Sequence, residues 1–108
     1  MEIRDKVCIV TGGASGIGAG MAQRFAQDGA AGVVVADVNL QRAQGVAQAI
    51  GERAMAVTCD VSREADIQEL VRRTRERFGR VDVYFSNAGI LGRMGGIELE
   101  DALWDSMW

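Results

Sequence analysis

Apolar residues follow two rhythms along this chain, and the rhythms alternate. Short, almost wholly apolar runs recur at Val7 to Val10, Val33 to Ala36, Ala54 to Val57 and Val81 to Phe85. Runs of this length, rich in β-branched residues, read as strands buried on both faces. Between the runs, apolar residues return every three or four positions. Ile17, Met21 and Phe25 form one such ridge. Leu40, Ala43, Val46, Ala47 and Ile50 form a second, and Ile67, Leu70, Val71, Thr74 and Phe78 a third. That spacing gives a helix one apolar face to lay on a sheet.

The punctuation agrees with the rhythm. The spacing predicts a strand over 6–11 and a helix from about Ser15 to Asp28, stopped at Gly29. A strand Val33–Asp37 follows, then a helix Leu40–Ile50 capped by Asn39 and ended by Gly51. The strand Ala54–Thr58 leads to a third helix, capped by Ser62 and ended by Gly79, and then to a strand Val81–Ser86. A glycine-rich loop runs from Asn87 through Gly96. A last helix starts near Leu99 and is still in progress at Trp108. The order β-α-β-α-β-α-β predicts an α/β fold, with a parallel sheet, right-handed crossovers and helices on both faces. No repeat, linker or domain boundary interrupts it, and 108 residues allow at most one modest domain.

Composition narrows the function classes. At 48% hydrophobic and 25% charged residues, the chain is expected to pack a soluble core. The net charge is −3, and no basic cluster is interleaved with aromatics, which argues against a nucleic-acid partner. The Arg-dense stretch Arg72 to Arg80 shares its helix with Glu69 and Glu76 and reads as a solvated face. The apolar runs are strand-sized, so neither a membrane span nor a signal peptide is expected. Cys8 and Cys59 fall on different strands with another strand between them. They read as reduced core thiols of a cytosolic protein, and no metal cluster is expected.

The stretch Lys6-Val-Cys-Ile-Val-Thr-Gly-Gly-Ala-Ser-Gly-Ile-Gly18 carries the chemistry. A buried strand passes through bare backbone straight into a helix N-terminus, whose unpaired N–H groups and positive dipole end suit a pyrophosphate. The general G-x-G-x-x-G fingerprint is not present, because Met21 stands where its last glycine would fall after Gly16 and Gly18. The motif is instead T-G-x-x-x-G-x-G, at Thr11, Gly12, Gly16 and Gly18. Asp37 closes the second strand, Asp60-Val61 follows the third, and Asn87-Ala88-Gly89 follows the fourth.

These motifs, in this order over essentially the whole chain, resemble the short-chain dehydrogenase/reductase family. The resemblance implies a Rossmann-like parallel sheet of strand order 3-2-1-4, with a cofactor crevice between strands 1 and 4. It implies that Gly12, Ser15, Gly16, Ile17 and Gly18 form the cofactor loop. Asp37 would accept hydrogen bonds from the adenosine ribose and repel a 2′-phosphate. Neither Ser15 nor Val38 nor Asn39 is basic, so NAD is expected over NADP. Asp60 would meet the adenine amino group and Val61 would meet the ring through its backbone. Asn87, Ala88 and Gly89 would line the cofactor ribose.

The family's acid/base machinery is a Tyr with a Lys four residues later, a Ser that polarises the substrate oxygen, and a supporting Asn. The single tyrosine, Tyr84, lies inside the fourth strand, and the single lysine, Lys6, stands at the end of the first strand opposite the cofactor loop. Neither fits, so no catalytic residue is assigned here. The chain reads as 1–108 of a larger single domain: the NAD-binding part of an oxidoreductase moving a hydride between NAD(H) and an alcohol or carbonyl. By itself this part would be inactive, and the full protein would be a homo-oligomer. The alternative is a non-catalytic NAD- or partner-binding module ending at Trp108. A third reading, an enzyme with an adenosyl cofactor such as a methyltransferase, is disfavoured by the T-G-x-x-x-G-x-G spacing and the Asn-Ala-Gly turn.

Overall fold

The computed structural model describes residues 2–12 and 16–86. Seven elements alternate along them: β1 (Val7–Thr11), α1 (Gly16–Gln27), β2 (Gly32–Asp37), α2 (Leu40–Ile50), β3 (Ala54–Thr58), α3 (Glu64–Phe78) and β4 (Val83–Ser86). All strand pairs are parallel, and the sheet order is β3-β2-β1-β4. The Rossmann-like α/β arrangement expected from the sequence is therefore present, and β1 occupies the sheet centre. The expected last helix lies outside the described residues.

Each strand divides its side chains between two cores by the two-residue period of a pleated sheet. Cys8, Val10, Val33, Val35, Ala54 and Val83 pack with Ala22 and Phe25 of α1 and with Ala43 and Ala47 of α2. On this face the Phe25 and Phe85 rings meet edge-on at 6.3 Å. Ile9, Val34, Ala36, Val57 and Tyr84 pack with Ile67 and Leu70 of α3 on the other face. Burial on both faces explains why the strands carry apolar runs rather than alternation.

Several local expectations are corrected. α1 buries Gly18, Ala22 and Phe25, while Ile17 is 68% exposed. A helix turns about 100° per residue, so moving the stripe from Ile17 to Gly18 rotates Ile17 off the sheet. Leu40, in the first turn of α2, is also exposed. Asn39 caps α2 as expected, accepting the Arg42 N–H at its side-chain oxygen. Ser62 does not cap α3. The N-cap is Arg63, in extended backbone and without a side-chain cap bond. The Ser62 hydroxyl turns back to Asp60 instead, and Glu64 and Asp66 supply negative charge in the first turn of α3.

The Arg-dense face also divides. Arg72 pairs with Glu69 and Glu76 on the exposed side of α3, as a solvated face should. Arg77 instead reaches β3 and donates to the carbonyls of Glu52 (2.8 Å) and Ala54 (3.3 Å). Arg80 donates to Asp82 and to the Asp5 carbonyl. Asp82 Oδ2 also accepts the Val7 N–H at 2.8 Å, which fastens the segment before β4 to the start of β1. These contacts lie at the end of the sheet opposite the glycine loop, and so hold the scaffold without entering the site.

Both cysteines are free and buried, Cys8 within β1 and Cys59 just past the end of β3 rather than inside it. Burial pushes the Cys8 thiol up to about 12, with the nearby Asp82 charge adding to the shift. Burial likewise raises Cys59 to about 11, with Asp66 and Asp60 contributing. The thiolate is the reactive form, so both should stay unlabelled by iodoacetamide at pH 8 while the protein is native and both should label in denaturant. Intact-mass spectra check this, and native labelling at Cys8 would contradict its burial.

Candidate functional site

The carboxyl ends of the strands meet at one edge of the sheet, and the residues singled out in the sequence gather there. Thr11 is in register with Ala36 on one side and Ser86 on the other. It is wholly buried, and its hydroxyl donates to the Phe85 carbonyl at 3.4 Å, tying β1 to β4 where the chain leaves the sheet. One step further along the strands come Gly12 and Asp37. Gly12 has φ 65, a left-handed conformation that side chains disfavour. Gly16 opens α1 with φ 35. Among the described residues, a Cβ built on it would meet nothing within 4 Å. Bare backbone thus stands at a helix N-terminus clear of the other described residues, where N–H groups lack helical partners. Gly18 is buried, which lets α1 lie close on the sheet.

Asp37 is half-buried and in register with Thr58 of β3. Its carbonyl accepts the Cys59 N–H at 3.1 Å, and its Oδ1 accepts the Asn39 N–H at 3.0 Å. The carboxylate is therefore held over the strand end rather than left to swing. Carboxylate oxygens offer about four acceptor sites in all, so a held carboxylate can still take hydroxyl donors. Val38, directly after it, is 68% exposed.

Asp60 stands past the end of β3. Its Oδ1 accepts both the hydroxyl (2.6 Å) and the N–H (2.9 Å) of Ser62. These bonds, with the Arg63 charge adding less, hold its carboxyl below the usual carboxylate range. A depressed folded pKa contributes stability above the unfolded pKa, and that contribution is lost as pH falls through the folded value. Ser62→Ala should therefore move the Asp60 titration upward toward an ordinary aspartate, as read by carboxyl-carbon NMR. An unmoved midpoint would remove Ser62 as the cause. Val61 turns its side chain into the α3-side core.

The structure thus brings Gly12, Gly16, Ile17, Gly18, Asp37, Asp60 and Val61 to one edge. Ser15, Asn87, Ala88 and Gly89 lie outside the described residues. What sequence reading missed is the link from Asn39 to Asp37. The Asx-type spacing of an Asp two residues before an Asn was the available signal. A groove of about 390 Å³ between α1 and α2, lined in part by Gln23, Gln27 and Arg53, holds no acid–base pair. The Arg53 guanidinium there is committed to the Ala26 and Ala30 carbonyls. Among the described residues, no group of three or more His, Cys, Asp or Glu could hold a metal ion. No described helix is long and apolar enough to cross a membrane.

A family model described as short chain dehydrogenase matches residues 6–108. The chain belongs to the short-chain dehydrogenase family. Within that family it is 44% identical over 92 residues to a (+)-cis,trans-nepetalactol synthase of Nepeta racemosa, covering 85% of this chain and 34% of that protein. It is 44% identical over 90 residues to galactitol 2-dehydrogenase of Agrobacterium fabrum, covering 83% of this chain and 35% of that one. The short-chain dehydrogenase segment thus spans about a third of the length of the curated relatives it matches. Among solved structures, a 3-ketoacyl-(acyl-carrier-protein) reductase from Brucella melitensis complexed with NADH superposes with a TM-score of 0.73 at 44% identity. The match covers 76% of this chain and 34% of that one.

Proposed function

We propose that residues 1–108 are the NAD-binding, N-terminal part of a larger single-domain oxidoreductase. The whole protein would move a hydride between NAD(H) and a small alcohol or carbonyl substrate. The observation that carries this reading is that Gly12 and Asp37 directly follow the paired residues Thr11 and Ala36 at adjacent strand ends, with Gly16 opening α1 just beyond. Open backbone at a helix N-terminus fits a pyrophosphate, and a held carboxylate one strand away fits a ribose diol. The similarity to an NADH-bound reductase supports the same ligand.

In this reading Gly12, Ser15, Gly16, Ile17 and Gly18 surround the pyrophosphate, and Asp37 accepts from the adenosine ribose. Asp60 and Val61 border the adenine, and Asn87, Ala88 and Gly89 line a ribose of the cofactor. The Ser62 bonds to Asp60 leave that carboxylate charged and acceptor-only, which suits an adenine amino donor. NAD supplies the hydride chemistry when bound. This segment binds and orients it and moves no proton. Tyr84 is buried on β4 against Ile9, and Lys6 precedes β1 at the opposite end of the sheet. The proton-handling Ser, Tyr and Lys are expected in the further length that the relatives possess, so the 108-residue segment alone is expected to show no turnover. The full protein is proposed to be a cytosolic homo-oligomer, with no nucleic-acid or membrane partner.

Asp37→Ala tests the assignment. In the native-length protein, NAD should bind roughly tenfold more weakly, the scale of one lost charge-assisted hydrogen bond. The gap between NAD and NADP should narrow, as read by calorimetric titration of both. Unchanged selectivity would remove Asp37 from the site.

A further inference from the structure

We infer that Asn39 is a positioning residue for dinucleotide selectivity, acting by aiming the Asp37 carboxylate. This rests on the reading of Asp37 as the ribose acceptor. The main chain of Asp37 is already fixed, by strand pairing with Thr58 and by the Cys59 N–H on its carbonyl. Among the contacts that direct its carboxylate is the bond from the Asn39 N–H to Oδ1 at 3.0 Å. Where that N–H points depends on the backbone of Asn39, held in extended geometry at φ −96, ψ 94. Two bonds keep it there. The Asn39 side-chain oxygen accepts the Arg42 N–H at 3.0 Å, and the Asn39 carbonyl accepts the Ala43 N–H at 3.1 Å.

The cap that starts α2 is therefore the same residue that orients the selectivity carboxylate. A fixed carboxylate accepts from ribose hydroxyls and stands against a 2′-phosphate. A carboxylate that loses this bond is aimed less well, which weakens the first and relaxes the second, so the two dinucleotides respond in opposite directions. A residue that only stabilised α2 would weaken both alike. Asn39 is exposed and outside both cores, so the variants keep the packing intact.

The test uses the native-length protein and measures Kd for NAD and for NADP. Asn39→Ala should lower the ratio Kd(NADP)/Kd(NAD) about threefold to tenfold, the scale of a lost helix cap. Asn39→Ser, whose hydroxyl can cap, should restore the ratio. Asp37→Ala should lower it further, and adding Asn39→Ala to Asp37→Ala should then change nothing, because Asn39 acts through Asp37. Equal weakening of both dinucleotides by Asn39→Ala overturns the proposal, as does an unmoved ratio beside a responsive Asp37→Ala. A ratio that Asp37→Ala also leaves unmoved overturns the ribose reading itself, and this inference with it.

Discussion

Gly16→Val is expected to abolish dinucleotide binding, weakening NAD by about 100-fold or more, while far-ultraviolet circular dichroism stays close to wild type. Two effects combine. Gly16 holds φ 35, where a β-branched residue is strained. Its missing Cβ also meets no other described residue at the N-terminus of α1, where the pyrophosphate is proposed to lie against bare backbone. The helix itself should persist, because its buried stripe of Gly18, Ala22 and Phe25 is untouched. Gly20→Ala is the internal control. Gly20 also has nothing within 4 Å of a built Cβ, but it sits a turn further along α1. Alanine there should stabilise by roughly 0.5–1 kcal/mol and leave NAD binding alone. Calorimetric titration of the three proteins decides the matter. Retained binding in Gly16→Val would take the loop out of the site.

The second large effect is on stability. Gly32 starts β2, and a Cβ there would lie 2.7 Å from the ring of Phe78, the last residue of α3. The ring has little room to retreat. It packs against the α3-side core, and the Arg77 guanidinium stands over it at 5.1 Å while donating to two carbonyls of the β3 region. Gly32→Ala should therefore cost roughly 1–3 kcal/mol by overpacking, read as a lower urea midpoint at unchanged slope. Trimming the ring tests the cause. The double variant Gly32→Ala with Phe78→Leu should lose less than the sum of the single losses. Additive losses would mean that the clash is not the reason glycine stands there.

These predictions differ in where their grounds came from. The four apolar runs and three helical ridges were legible because burial on both faces and burial on one face leave different periods. The glycine loop and Asp37 stood out as candidates because an anion and a ribose would demand residue types that are conspicuous at strand ends. Other features depended on partners far away in sequence. Ser62 reads as a cap until Asp60 competes for its hydroxyl. Ile17 reads as core until α1 sets its phase from Gly18. Arg77 reads as one more surface charge until the end of α3 reaches β3.

Local spacing alone specifies the alternation, the parallel α/β architecture and the family, and it points to one edge for a nucleotide. Each of these is written in local spacing: a two-residue period, a 3.6-residue period, and glycine where backbone must be bare. That Gly32 has no room for a methyl group, that Arg53, Arg77 and Arg80 fasten backbone carbonyls, and that the cap of α2 holds the carboxylate ending β2 emerge only in the packed fold. Those depend on distances between elements. Such distances are fixed when the helices settle on the sheet and close packing removes every alternative position.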